Sequence, residues 1–334
     1  MNVPLGVRLE AEIREQPDVW RRLARSAHAR EFATAIGERD VVLLGSGSSL
    51  FVAMLGALAL RRRGVRAAAL AATEANFERG AYRGRTVVAL SQSGRSADIL
   101  RAVELLAPER LIVLTNDVTA PLAARARLVI DIEAGPEIAV PATKTVTAMV
   151  AVVLWGAALV GGATERSTAA LERTADDVET WLAGAGVHET ALAALEVVRR
   201  PSVAVVGAGY GVPIALEVAL KLKEASYLHA EGFAAGEFRH GSAAILGATT
   251  TLLGIVDDAS REIVRRPLAE AERTESLRYT IGEGIDGVPR LGARTGEAFN
   301  TLAWLVAGQM LALEAGRARG IDGDAPRGLS KFVV

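Results

Sequence analysis

Four lysines stand in this chain: Lys144, Lys221, Lys223 and Lys331. All the others among its 38 basic residues are arginine. Arginine stays protonated in a protein, whereas a lysine amine can lose its proton and become a nucleophile. The retained lysines are therefore the first places to look for chemistry. Two of them, with two of the four histidines, fall in ALKLKEASYLHAEGFAAGEFRHG, from Ala219 to Gly241. The pattern predicts a helix from Pro213 to Leu228. At about 100° per residue, Glu217, Lys221 and Glu224 share one face of it, and Lys223 points away. A surface Glu217–Lys221 pair at i,i+4 accounts for the pairing but not for lysine in place of arginine. Beyond the helix, a Gly- and Ala-rich loop carries His240 just before Gly241. A carboxylate, an amine and a histidine are a set suited to proton transfer near neutral pH.

Two turns offer anion chemistry. Gly45-Ser46-Gly47-Ser48-Ser49 follows an apolar run and precedes a helical one. Such a turn presents backbone N–H groups and a helix N-terminus. It lacks both G-x-x-x-x-G-K-[ST] and the third glycine of G-x-G-x-x-G, so it is no nucleotide fingerprint, and a plain tight turn explains it equally well. Ser91-Gln92-Ser93-Gly94-Arg95-Ser96 is denser, with three hydroxyls and an amide in six residues. A helix cap accounts for one serine, not for this density, so the turn reads as a phosphate site. Two such turns at the carboxyl ends of strands in one parallel sheet face the same crevice. The expected ligand is small and phosphorylated.

The elements that must position these groups form a repeating pattern. Residues 8–37 read as helix, with a new stretch starting at Pro17. Strand candidates follow near residues 40–45, 66–70, 86–94, 110–116 and 127–132, with helical stretches between them. Apolar strands alternating with helices imply a parallel sheet covered on both faces. The pattern returns: PSVAVVGAGYG, from Pro201, echoes RDVVLLGSGSS, from Arg39, and TTLLGIVDDASREIV echoes TVVALSQSGRSADIL. The fold class is α/β, two tandem doubly wound (flavodoxin-like) domains. The expected divisions are a helical segment over 1–37, a first domain over 38–160, a helical connector over 161–195, a second domain over 196–321 and an irregular tail over 322–334.

Bulk properties narrow the function classes. Half the residues are hydrophobic and 23% are charged, which fits a globular chain and not a disordered one. A net charge of −1 without a basic block argues against nucleic acid as a partner. The absence of cysteine removes disulfides, thiolate metal sites and a cysteine nucleophile. The four histidines show no ligand spacing, so neither a metal nor an organic cofactor is expected. Thr145 to Thr164 is uncharged and long enough to pass for a membrane span. Solitary and punctuated by Thr and Gly, it reads instead as a helix buried between layers or at a subunit interface. The start has no apolar core of a signal peptide, and a cytoplasmic location is expected.

Several long motifs, in order, carry a resemblance: SQSGRSAD, AGPEIAVPATKT, ALEVALKLKEASYLHAEGFAAGEFRHG and the terminal PRGLSK. From Asp40 onward the chain resembles the SIS (sugar isomerase) family, most of all the isomerase part of glucosamine-6-phosphate synthase and its stand-alone relatives. The resemblance implies that Ser91, Gln92, Ser93 and Ser96 hold a sugar phosphate with help from Ser49, and that Val140 and Ala142 line the substrate. It makes Glu224 the base that moves a proton between C1 and C2, and His240, from a neighbouring subunit, the residue that assists ring opening. It makes Lys331 the tail amine that closes on the substrate and forms an imine with an open-chain carbonyl. Lys221 becomes a second active-site lysine, while Lys144 matches a motif without a role. Arg95 and Ala142 depart from the synthase pattern, which has glutamate and serine there.

The implied reaction converts glucosamine 6-phosphate to fructose 6-phosphate and ammonia, without glutamine hydrolysis because there is no cysteine for a glutaminase. Deglycation of a fructosamine 6-phosphate is the alternative within enzymes. A non-catalytic sugar-phosphate regulator is the alternative outside them, but the N-terminal residues are too few and too weakly basic for a DNA-binding domain. A homodimer or higher homo-oligomer is implied. The uncharged helix after Thr145 is the surface expected to support it.

Overall fold

A computed structural model describes residues 5–37, 40–162, 166–296 and 299–331. Helices α1 (Val7–Arg14), α2 (Gln16–Arg25) and α3 (His28–Ile36) lead into β1 (Val41–Gly45), α4 (Ser48–Arg61), β2 (Ala67–Ala71) and β3 (Thr86–Leu90). Then come α5 (Ala97–Leu106), β4 (Arg110–Thr115), β5 (Leu128–Asp131), α6 (Lys144–Val160), α7 (Arg166–Ala183) and α8 (Ala185–Val197). The second series is β6 (Ser202–Gly207), α9 (Gly211–Ser226), β7 (His229–Ala234), α10 (Ala235–Phe238), β8 (Thr250–Val256), α11 (Arg261–Arg273), β9 (Leu277–Gly282), β10 (Arg290–Leu291) and α12 (Asn300–Ala318).

The chain forms two compact units. One holds Asp18–Glu137, Lys144–Glu172 and the chain from Ser330; the other holds the chain up to Pro17, Ile138–Thr143 and Arg173–Leu329. The first unit contains the sheet β2-β1-β3-β4-β5, parallel throughout. The second contains β7-β6-β8-β9-β10, also parallel. Both have the doubly wound order 2-1-3-4-5. The expected α/β class and its duplication are therefore what the chain adopts.

Local sequence explains this choice. β1, β3 and β8 are buried at every position, as continuous apolar runs in a sheet covered on both faces must be. The first strand of each sheet ends in glycine for the same steric reason. A Cβ on Gly45 would meet the backbone of Ser49 at 2.4 Å, and one on Gly207 would meet Gly211 O at 2.1 Å. Any side chain there would push away the helix that folds back over the strand end.

Helix α6 takes up most of the uncharged segment. It packs on α3 and α4 within its own unit and is buried from Lys144 to Val153. Each buried Val or Leu contributes about 1.5–3 kcal/mol relative to exposure, which holds this Val-rich helix against its low propensity. Its apolar surface is consumed internally, so the expectation that it supports a subunit contact is corrected. Among the described residues no helix is long and apolar enough to cross a membrane. The stretch after α9, expected to be loop, begins as a strand: β7 pairs with β6 in register from Ser202↔His229 to Gly207↔Ala234. Its alanines and glycines masked the strand signal, and pairing with a buried neighbour supplied what local propensity did not.

Candidate functional site

In the β1–β5 unit, the two anion turns leave neighbouring strands. β1 and β3 pair from Val41↔Thr86 to Leu44↔Ala89, so both turns open at the carboxyl edge of one switch point. Ser49 Oγ accepts the Ser46 N–H and donates to the Ser46 carbonyl, both at 2.9 Å. Ser91, buried, accepts the Gly94 N–H at 3.1 Å, and Ser93 accepts the Arg95 N–H at 3.2 Å. These three hydroxyls shape the turns. Ser96 is the N-cap residue of α5, yet its side chain makes no capping bond, so the first-turn N–H groups of α5 keep their capacity for an anion. The Gln92 carbonyl accepts the Asn116 N–H at 3.0 Å and the Thr115 hydroxyl at 3.2 Å, fixing the turn to the end of β4.

Arg95 turns to Asp117, with its guanidinium 2.7 Å from the carboxylate. The Thr119 hydroxyl and then Arg95 hold the Asp117 carboxyl down at about 2. The positive charge that departs from the family pattern is thus paired with a carboxylate of the loop that follows β4.

The tail lysine lies in this same unit. Lys331 Nζ sits 2.8 Å from Glu137 Oε2, whose side chain is wholly buried. Glu137 also accepts the Thr145 N–H at 3.1 Å and the Thr145 hydroxyl at 2.8 Å. It caps α6 from seven residues upstream, at the positive end of the helix dipole. Nothing in AGPEIAVPATKT points to this, because a cap so far from its helix has no local spacing rule.

In the β6–β10 unit, α9 presents the acid–base stripe. Lys221 Nζ lies 2.5 Å from Glu224 Oε2 and 3.4 Å from Glu217 Oε1. Lys221 is 2% exposed and Glu217 1%, so the Glu217–Lys221 pair is not at the surface but in a buried cluster. Its desolvation is tolerable only because one cation faces two carboxylates. Glu224 keeps partial access to solvent, and Lys223 is exposed. His240 is exposed after α10, beside Gly241 with φ +117°, and makes no side-chain hydrogen bond among the described residues.

Val140 and Ala142 belong to the Ile138–Thr143 segment of this unit. Glu12 on α1 accepts the backbone N–H groups of Ile138 and Ala139. The Asp324 carbonyl accepts the Val140 N–H at 2.9 Å, while the Asp324 carboxylate caps α1 at Arg8 and Leu9. The N-terminal helix thereby fastens a segment expected to line the substrate.

The structure groups Ser49, Ser91, Gln92, Ser93, Ser96 and Lys331 in one unit, and Lys221, Glu224, His240, Val140 and Ala142 in the other. Glu137, Glu12 and Asp324 are additions that the sequence did not single out. Among the described residues no cluster of three or more His, Asp or Glu side chains is arranged to hold a metal.

Doubly wound α/β sheets bind their ligands at the carboxyl-edge switch point, and in the β1–β5 unit that edge is lined with serines. The model of the SIS domain matches residues 36–158 and 196–271, and the chain belongs to the SIS domain family. It is 30% identical over 312 residues to a glutamine–fructose-6-phosphate aminotransferase (isomerizing) of Sulfolobus acidocaldarius, covering 88% of this chain and 50% of that protein. The corresponding protein of Pyrobaculum aerophilum is 30% identical over 345 residues, covering 97% and 56%. The chain thus spans about half the length of the curated relatives it matches. The crystal structure of a glucosamine-6-phosphate deaminase from Thermotoga maritima shares the fold, with a TM-score of 0.82 at 22% identity over 98% of this chain and 99% of that one.

Proposed function

We propose that this chain is a phosphosugar isomerase that converts glucosamine 6-phosphate and water to fructose 6-phosphate and ammonia. The observation that carries the reading is the buried Glu217–Lys221–Glu224 cluster of α9. A binding module has no use for a partly exposed carboxylate held against a buried amine, whereas a C1–C2 proton transfer needs one. Membership of the SIS family, the serine-lined turns and the isomerising aminotransferases among the relatives all support it.

In this mechanism the phosphate sits on the Ser91–Ser96 turn and the N-terminus of α5, with Ser49 shaping the adjoining turn. His240 serves ring opening in the site of a neighbouring copy, and Val140 and Ala142 line the sugar. Glu224 takes the proton from C2 of the open-chain aldehyde and returns it to C1. Lys331 adds to the C2 imine that results and displaces ammonia, and water then hydrolyses the lysine imine to the open-chain ketone and the free amine. Lys221 orients the Glu224 carboxylate.

The test is incubation with glucosamine 6-phosphate while ammonia and fructose 6-phosphate are measured together. Equal release of both supports the reading, and absence of both sinks it. Turnover confined to amino-acid-linked fructosamine 6-phosphates makes the chain a deglycase. Tight phosphosugar binding without any turnover makes it a sensor.

A further inference from the structure

The imine-forming amine of the proposed mechanism sits in a chain tail that has no helix or strand among its described residues. Something must set where that amine waits. In the β1–β5 unit a wholly buried carboxylate, Glu137, stands 2.8 Å from Lys331 Nζ. Two hydrogen bonds from Thr145 fix its orientation. Two residues earlier, the Gly135 carbonyl accepts the Asn116 side-chain amide at 2.7 Å, and the Asn116 Oδ1 accepts the Ala134 N–H at 3.0 Å. Asn116 donates its own backbone N–H to Gln92 in the phosphate turn. Hydrogen bonds therefore tie the Ser91–Ser96 turn through Asn116 to the 134–135 backbone, and two residues of chain lead from there to the carboxylate beside the tail amine.

We propose that Glu137 is a positioning residue: it docks the Lys331 ammonium on the same unit, and in register with the phosphate turn, before a sugar is bound. A carboxylate in water would hold a tail lysine weakly. One that is buried, pre-oriented and already capping a helix holds it through a charge-assisted bond at little further ordering cost. The substrate carbonyl then meets an amine already placed relative to its phosphate. The inference rests on the reading of Lys331 as the imine-forming amine, but docking itself can be measured without turnover.

The scarcity of lysine makes the experiment clean. Acylation by sulfo-N-hydroxysuccinimide acetate, followed by mass spectrometry, reads all four lysines in one sample. Exposed Lys223 is the reference, and Lys144 and Lys221, at 1% and 2% exposure, report folding. In the unmodified chain Lys331 should label about tenfold more slowly than Lys223, the scale of one charge-assisted hydrogen bond. Glu137→Gln should remove most of that protection, and Glu137→Asp should restore part of it, with Lys144 and Lys221 still slow. If Glu137→Gln exposes Lys144 as well, Thr145→Val, which leaves the charge in place, should still raise Lys331 labelling about threefold by loosening the carboxylate. Borohydride trapping of an imine with fructose 6-phosphate should fall with the same variants. Labelling of Lys331 as fast as Lys223 in the unmodified chain overturns the docking. Protection of Lys331 with no trappable imine leaves the docking standing and overturns the catalytic reading of the lysine.

Discussion

The two sheets have one topology and one glycine-ended first strand, but their switch points hold opposite chemistry. After β1 and β3 come serines, glycines and the open N-terminus of α5. After β6 comes Ala208-Gly209-Tyr210. After β8 comes Asp257, whose carboxylate accepts the Ser260 N–H at 2.6 Å. In the second unit the Asp257 carboxylate takes up the Ser260 N–H and the Ser260 hydroxyl takes up the Asp257 N–H, so this edge carries a negative charge that the serine turns lack. The helices reverse the pattern. α4 carries no charge until its last residue, Arg61, whereas α9, its counterpart after the first strand of the second sheet, carries Glu217, Lys221 and Glu224. Duplication supplied two equivalent frames. The side chains then differ: serines line the turns on one sheet edge, and a Glu–Lys–Glu cluster lies on one helix of the other unit. Fold alone would not have said which unit does which.

The largest effect should come from the α9 stripe. Glu224→Gln keeps shape and hydrogen-bonding length but removes the base. Turnover of glucosamine 6-phosphate should fall by about 10²–10⁴-fold with phosphosugar affinity little changed. Calorimetric binding alongside the ammonia assay separates the two. Surviving turnover would mean that the acid–base work lies elsewhere and that the division between the units is wrong.

Lys221→Met tests the same stripe through stability. It removes the cation 3.4 Å from Glu217, which is 1% exposed. Removing one partner of a buried pair costs about 3–5 kcal/mol, which urea unfolding should show. The double variant Glu217→Gln/Lys221→Met should recover much of that loss. The corresponding apolar positions of α4 hold no charge to strand, so the cost belongs to the second unit alone.

Much of this division was legible before any coordinates. Continuous apolar strands and their repetition specified the two parallel sheets, because buried parallel strands leave that pattern. The i, i+4, i+7 spacing placed Glu217, Lys221 and Glu224 on one face, since the helical period allows nothing else. Burial of that face was not legible: a charged stripe on a helix is ordinarily solvated, and only packing of α12, β6 and β7 on α9 decides otherwise. β7 was missed because Ala and Gly carry little strand signal. Glu137, Glu12 and Asp324 were missed for a different reason. Glu12 and Asp324 act on backbone groups far away in sequence, Asp324 on Leu9 across 315 residues, and Glu137 reaches Thr145 from outside its helix, so no local spacing rule encodes these bonds.

Glycine substitutions compare the turns more directly. Gly94 has φ +61°, and a Cβ there would meet the Ala120 Cβ at 2.5 Å. Gly209, in the turn after β6, has φ +56° with nothing within 4 Å. Both Gly→Ala changes carry the left-handed penalty of about 1–2 kcal/mol. Only Gly94→Ala adds a clash, and it should also weaken inorganic phosphate binding, measured by thermal shift. Equal effects on phosphate binding in the two variants would erase the distinction between the switch points.

The smallest effect concerns the charge pair between the Ser91–Ser96 turn and the loop after β4. Asp117, held down at about 2 by Thr119 and Arg95, is depressed below the ordinary carboxylate value of 3.8. Its contribution to folding is therefore complete above about pH 4 and is lost as the pH falls through about 2. Asp117→Asn should destabilise the chain by a constant increment at neutral pH, and that difference from the unmodified protein should vanish on acidification. The same change frees Arg95, whose guanidinium Asp117 now holds at the mouth of the Ser91–Ser96 turn. A released cation beside an anion site strengthens it, so phosphosugar affinity should rise, by no more than about fivefold because the pair is exposed. Higher salt should remove the gain. If affinity falls instead, the Arg95–Asp117 pair is holding the turn open rather than restraining a charge. The serines of the first switch point would then depend on it for their geometry, unlike the second, where Asp257 and Ser260 brace the turn between themselves.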